Sequence, residues 1–188
     1  MRTNSSKQTH VWTHGYNYGN PTNRMWKLLT GELGDFEGLV PKDSPIESQN
    51  RLPSDLGIGL TDVALVPGSD ASELSLRVML SWRASLYARL RDHVRRVSDA
   101  NYGGPKICAF TGKKQFTSLF ESPPSKVIPF GRLPDDVPLP PGWPFEDRSQ
   151  VQVWVLPSSS GRAAMTHEQR FTPYKQLAEE VARLRSLR

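Results

Sequence analysis

Gln150-Val151-Gln152-Val153-Trp154-Val155-Leu156, QVQVWVL, alternates polar and apolar side chains and then becomes wholly apolar. A period of two is that of a strand with one face on a core, and the apolar end reads as its buried part. Upstream, Lys106-Ile107-Cys108-Ala109-Phe110 is a second buried-strand candidate, closed by Thr111-Gly112-Lys113 and a short helix to Phe120. Between the two, Ser122 to Ser149 is proline-rich and reads as a long loop, with a strand near Val127 to Phe130. A connection of that length calls for a functional or insertional explanation. Downstream, Thr172-Pro173 forms an N-cap and N1 pair, and Tyr174, Leu177, Val181 and Leu184 form the apolar stripe of a final helix.

Towards the N-terminus, Met79, Trp82, Leu86, Leu90, Val94 and Val97 recur at spacings of three and four, which predicts one long amphipathic helix over 72–97. Asn101-Tyr102-Gly103-Gly104-Pro105 stops it. Leu56 to Val66, LGIGLTDVALV, reads as a buried strand and the turn after it. Residues 35–55 read as loop, and Pro21-Thr22-Asn23-Arg24 as the capped start of a helix carrying Met25, Trp26, Leu28 and Leu29 and ending near Gly31 or Gly34. There are no internal repeats. Strands separated by helices predict an α/β domain with a largely parallel sheet, whose ligands bind beyond the carboxyl ends of the strands. Thr111-Gly112-Lys113 and Pro157-Ser158-Ser159-Ser160-Gly161-Arg162 follow two such ends.

A chain of 188 residues fits one domain with a real core, while 16 prolines point to long irregular connections. The single cysteine, Cys108, excludes an intrachain disulfide and a multi-cysteine metal site, and its apolar run predicts a buried structural thiol. A reducing compartment such as nucleus or cytosol is expected from that usage. No apolar stretch has bilayer-spanning length, and MRTNSSKQTHVWTHGYNYG has no apolar region of a secretory signal. The net charge of +5, with arginines crowded at 83–96 and 183–188, favours acidic partners such as nucleic acid, although solvated helix faces account for the same clusters.

Pro157 to Arg162 carries the most chemistry. Serines with free backbone amides can hold phosphate oxygens, and an adjacent glycine lets the backbone approach a ligand; an ordinary serine-rich turn is the plain alternative. VWVLPSSSGRAA at 153–164 resembles the second signature of the mismatch-specific uracil and thymine-DNA glycosylases. NYGNPTNRMWKLL at 17–29 resembles that family's aromatic-Pro-Asn-Trp-Lys stretch, LGIGLTDV at 56–63 its second strand, and ICAFTGKKQF at 107–116 its third. The four matches fall in family order over roughly residues 17–188. The resemblance implies a single uracil-DNA glycosylase-like domain over 1–188, a three-layer α/β/α sandwich with a short, mostly parallel central sheet, and a loop insertion at 122–149. It further implies a monomer in the nucleus, acting without metal or organic cofactor on double-stranded DNA with a mismatched or damaged pyrimidine, and with no membrane partner.

Carried over residue by residue, Tyr18 matches the aromatic that stacks on a flipped base; a core aromatic is its other reading. Asn23 matches an amide beside the base pocket, or else serves the helix start. Lys113 lies near the DNA backbone in the resemblance, Ser158 and Ser160 bind phosphates, Arg162 is the wedge that fills the gap left by the flipped base, and Gly161 meets the widowed opposite base. Asp62 stands where the family usually has an amide or a lysine near the base; a turn-capping aspartate is the alternative. The family's first signature, Gly-aliphatic-Asn-Pro-Gly, whose asparagine positions the attacking water, is absent from the sequence. Met1 to Ser5 aligns just after that turn, followed by an insertion up to Tyr16, so the expectation is an N-terminally truncated reading of the gene, without the first central strand. The activity expected by resemblance is removal of uracil or thymine from G·U or G·T pairs. The alternatives are a catalytically silent DNA-binding homologue and a fragment without activity.

Overall fold

The computed structural model describes residues 18, 19, 22–64, 74–99 and 104–187. These fall into two compact units, one within Met1–Thr61 and Ser158–Arg188, the other within Asp62–Leu65 and Leu74–Pro157. Helices and a three-stranded mixed sheet make a small α/β fold. The expectations placed on 1–17, Pro21, 65–66, 72–73 and 101–103 lie outside the described residues.

In the first unit, α1 (Met25–Leu29) buries Met25, Leu28 and Leu29. It starts where Asn23 Oδ1 accepts the Met25 N–H at 2.9 Å, one of the orphan donors of a helix start. It stops at Thr30, and Gly31 follows at φ 79°, a left-handed turn that suits glycine. A β-carbon on Gly31 would stand 2.0 Å from the Phe36 carbonyl oxygen, so the turn is closed to other residues. A 3₁₀ helix at Ile46–Arg51 runs into a π-helical turn at Leu52–Leu56. There the strand expected over 56–66 fails. Gly57, at φ 65°, donates to the Pro53 carbonyl and Ile58 to that of Leu52, so the chain bends instead of extending, and 57–64 forms no strand.

The long helix of this unit also begins earlier than Thr172. It spans His167–Ser186, with Thr166 as its N-cap. Thr166 Oγ1 accepts the Gln169 N–H at 3.1 Å, and Gln169 Oε1 accepts the Thr166 N–H at 3.0 Å, a reciprocal box that settles the start. Pro173 therefore lies inside the helix, where it forgoes the bond to the Gln169 carbonyl. Tyr174, Leu177 and Ala178 are buried, and the Tyr174 hydroxyl reaches Met25 Sδ at 3.9 Å.

In the second unit, the helix expected over 72–97 is two helices. α2 (Leu76–Ser81) is capped by Ser75, whose hydroxyl accepts the Val78 N–H, and α3 (Arg83–Asp99) follows a single tightened residue, Trp82. β1 (Ile107–Phe110) forms where expected, and the short α4 (Lys113–Thr117) ends before the expected Phe120. The strand expected at 127–130 forms one step later as β2 (Gly131–Arg132), and β3 is Gln152–Val155. β3 is central: β1 pairs with it in parallel, Ile107 opposite Gln152 through Phe110 opposite Val155, and β2 pairs antiparallel. The sheet is thus mixed, with β2 lying inside the proline-rich stretch that leads into β3.

That loop is packed. Ile128, Leu133, Val137, Trp143 and Phe145 all join Leu86, Phe110, Phe116, Val153 and Val155 in the core. The Arg148 guanidinium donates to the carbonyls of Pro134 and Val137, which satisfies backbone that no strand would. Trp143 packs edge-on against Tyr87 and Phe145. Cys108 lies partly buried against this core, and burial pushes its thiol up to about 12. At pH 8 the native thiol should therefore alkylate on the order of 10³-fold more slowly than one of ordinary pKa near 8.5. Timed iodoacetamide labelling with and without denaturant checks this; equal rates would contradict it.

Candidate phosphate-binding loop

Within the first unit, the chain before α1 and the serine-rich loop lie side by side. Asn23 and Ser160 form an isolated antiparallel bridge, and the Arg24 N–H donates to the Ser159 carbonyl at 2.9 Å. A β-carbon on Gly161 would come within 3.1 Å of the Thr22 carbonyl oxygen and 3.8 Å of Arg24 Nε, so the glycine permits this approach. Asn23 thus has two tasks, since its side chain starts α1 while its backbone holds the loop.

The loop is also organised internally. Ser158 Oγ accepts the Ser160 N–H at 3.2 Å, and Ser160 Oγ accepts the Arg162 N–H at 3.3 Å. Each hydroxyl used in this way keeps its own O–H as a donor. Ser158 and Ser160 are half-buried, Ser159 is buried, and Gly161 and Arg162 are exposed at the tip.

Beneath the loop lies a residue that sequence reasoning missed. Arg170, in the first turns of the helix α5 (His167–Ser186), is only 2% exposed. Its guanidinium donates to the carbonyls of Ser158 at 3.0 Å, Ser160 at 2.6 Å and Ala163 at 2.9 Å. Its Nε–H is buried without a partner, and none of the ion pairs among the described residues involves it. Desolvation, and then the nearby Arg24 guanidinium, lower its pKa from the ordinary arginine value. The available signal was its phase: Arg170 falls on the stripe of Tyr174, Leu177 and Val181, at spacings of four and seven from the first two. A helix begun at Thr172 leaves it out.

Tyr18 belongs to the same unit and has φ 61°, uncommon for an aromatic residue. It is half-buried and close enough to Tyr174 that, after burial, its charge is the next cause raising the Tyr174 pKa. Lys113 and Asp62 belong to the second unit. Lys113 Nζ stands 4.3 Å from the centroid of the Phe130 ring, a cation–π contact. The Asp62 side chain is solvent-exposed, and its backbone carbonyl accepts from Arg89. Enough protein still surrounds it for desolvation to raise its carboxyl above the ordinary 3.8, with Arg89 pulling the other way. Among the described residues, no group of three or more His, Cys, Asp or Glu side chains comes together to hold a metal ion.

Two measurements check this geometry. Thr166→Ala removes the cap of α5 and should cost about 1 kcal/mol in denaturant unfolding; no change would mean the helix start is set elsewhere. For Asp62, a raised folded pKa means that stability falls as pH rises from 3.8 through the folded value, because the native carboxyl holds its proton longer. NMR titration should find Asp62 above 3.8 and, in Arg89→Gln, higher still. A value at or below 3.8 would contradict the crowding around it. No protein-family model matches the sequence.

Proposed function

We propose that this protein grips duplex DNA at a mismatched or damaged pyrimidine and acts as a base-excision glycosylase on uracil or thymine opposite guanine. One observation carries the reading: Asn23 and Ser160, from two of the segments that resemble the mismatch-specific glycosylases, pair directly through their backbones. The loop so held has the chemistry that the task needs. Two serine hydroxyls remain available as donors to phosphate oxygens, and an exposed glycine and arginine stand at the tip. The same reading implies a nuclear protein folded as a three-layer α/β/α sandwich.

Extruding a nucleotide costs a few kcal/mol, less at a mismatch, and phosphate contacts offset that cost. In this reading Arg162 enters the gap in the stack, Gly161 meets the widowed base and Tyr18 stacks on the extruded ring. Cleavage of the N-glycosidic bond leaves positive character on the sugar and negative charge on the departing base. Donors around the base stabilise the leaving group, and a water captures the sugar. A second reading is DNA binding without excision, supported by the same loop, whose serine hydroxyls and exposed arginine serve binding without chemistry on the base.

A G·U duplex incubated with the full chain and then treated with alkali tests both readings. Abasic cleavage supports the glycosylase, mismatch-selective binding without cleavage supports the second reading, and neither overturns both. If cleavage is found, Arg162→Ala should slow it about tenfold or more on stable pairs while sparing single strands, since a wedge acts on the flipping step.

A further inference from the structure

We propose that Arg170 is a positioning residue that holds the Ser158–Ala163 loop in its anion-receiving form without touching the anion, and that Arg24 is the cation that meets it. The proposal deepens the functional reading above and rests on it for the identity of the anion, a nucleic-acid phosphodiester.

A desolvated guanidinium must spend its N–H groups on acceptors, and here it takes three backbone carbonyls of one loop. With those carbonyls taken up by Arg170, what the loop has left to offer a ligand is its donors. These are the hydroxyls of Ser158 and Ser160, each held by a backbone N–H of the loop itself. The positive charge below is matched by no carboxylate among the ion pairs of the described residues. Arg24 adds a second guanidinium beside Gly161, close enough to Arg170 to lower its pKa. No hydrogen bond or ion pair of the Arg24 side chain is formed with the described residues. Two neighbouring cations, one buried beneath the loop and one beside it, and the hydroxyl donors of the loop together make a site short of one negative charge. A tetrahedral oxyanion supplies it. Arg170, being 2% exposed, reaches that anion only through the loop, whereas half-buried Arg24 can reach it directly.

The distinction is measurable. For a direct phosphate contact, removing the cation lowers the slope of log affinity against log salt by about 0.9. A positioning residue lowers affinity and leaves the slope unchanged. The full chain, R24A, R170Q and R170K are compared on a G·U duplex over a range of salt, with circular dichroism establishing that each is folded. R170K keeps the charge but replaces the planar two-nitrogen fork with a single nitrogen, so it serves where R170Q fails to fold. Expected are an affinity loss of about tenfold for R170K or R170Q at unchanged slope, and a slope reduced by about 0.9 for R24A. A folded Arg170 variant that binds like the unsubstituted protein, or one whose slope falls, overturns the proposal.

A second arm removes the dependence on DNA. Inorganic phosphate titrated into the ¹⁵N-labelled protein should shift the amides of Ser159 to Arg162 saturably, and should no longer do so in R170Q or R170K. If the duplex is not bound but phosphate still shifts these amides in an Arg170-dependent way, the functional reading fails and the positioning role stands. No saturable shift in the unsubstituted protein overturns the positioning role itself.

Discussion

A guanidinium taken out of water has to find acceptors for its N–H groups, and in this protein Arg170 finds them on a single loop. Charge-assisted hydrogen bonds of this kind contribute about 1.5–3 kcal/mol each, set against the large cost of desolvating the cation. The three bonds to Ser158, Ser160 and Ala163 therefore hold the loop in one shape. That shape is what lets Ser159 accept from Arg24 and Ser160 pair with Asn23. Through those two contacts, segments far apart in the chain are joined, and the start of α1 is tied to the loop.

The helix that carries Arg170 is held to match. Its first turn is closed by the Thr166–Gln169 box, Tyr174 rests on Met25, and Arg185 near its other end donates to the Leu56 carbonyl. Phe171 stacks on Phe36 and lies so close to Gly34 that a β-carbon there would come within 2.5 Å of the ring. These contacts fix the rotation of α5, and a helix free to rotate would not present Arg170 to the same carbonyls. The interior Pro173 is tolerated because the helix is secured on both sides of it.

The second unit is organised on apolar grounds. β3 lies between two partners, and aromatic rings from the helices, the sheet and the proline-rich loop fill the space beside it. The loop contributes core side chains that its polar, proline-dense composition conceals. Arg148 satisfies the loop's carbonyls as Arg170 satisfies those of the serine loop, but from a more exposed position.

Local pattern was enough for β1, β3 and α1, because apolar side chains at a period of two or near 3.6 record which face is buried; over 72–97 it placed helix but not the break at Trp82 between α2 and α3. The run 56–66 was misread because its apolar residues suggested a strand while Gly57 supplied a left-handed turn. The start of α5 was misread because Thr172-Pro173 suits an N-terminus, whereas Thr166 and Gln169 form one. For the candidate site, Ser158, Ser160, Gly161, Arg162 and Asn23 were legible as residue types; the Asn23–Ser160 pairing and the roles of Arg24 and Arg170 were not. The sequence by itself determined the strands β1 and β3, the helix α1 and the serine loop, since those follow from side chains close together in the chain. Only the tertiary structure decided that an arginine is buried and which carbonyls it holds, because a charge leaves water only where distant backbone supplies its hydrogen bonds.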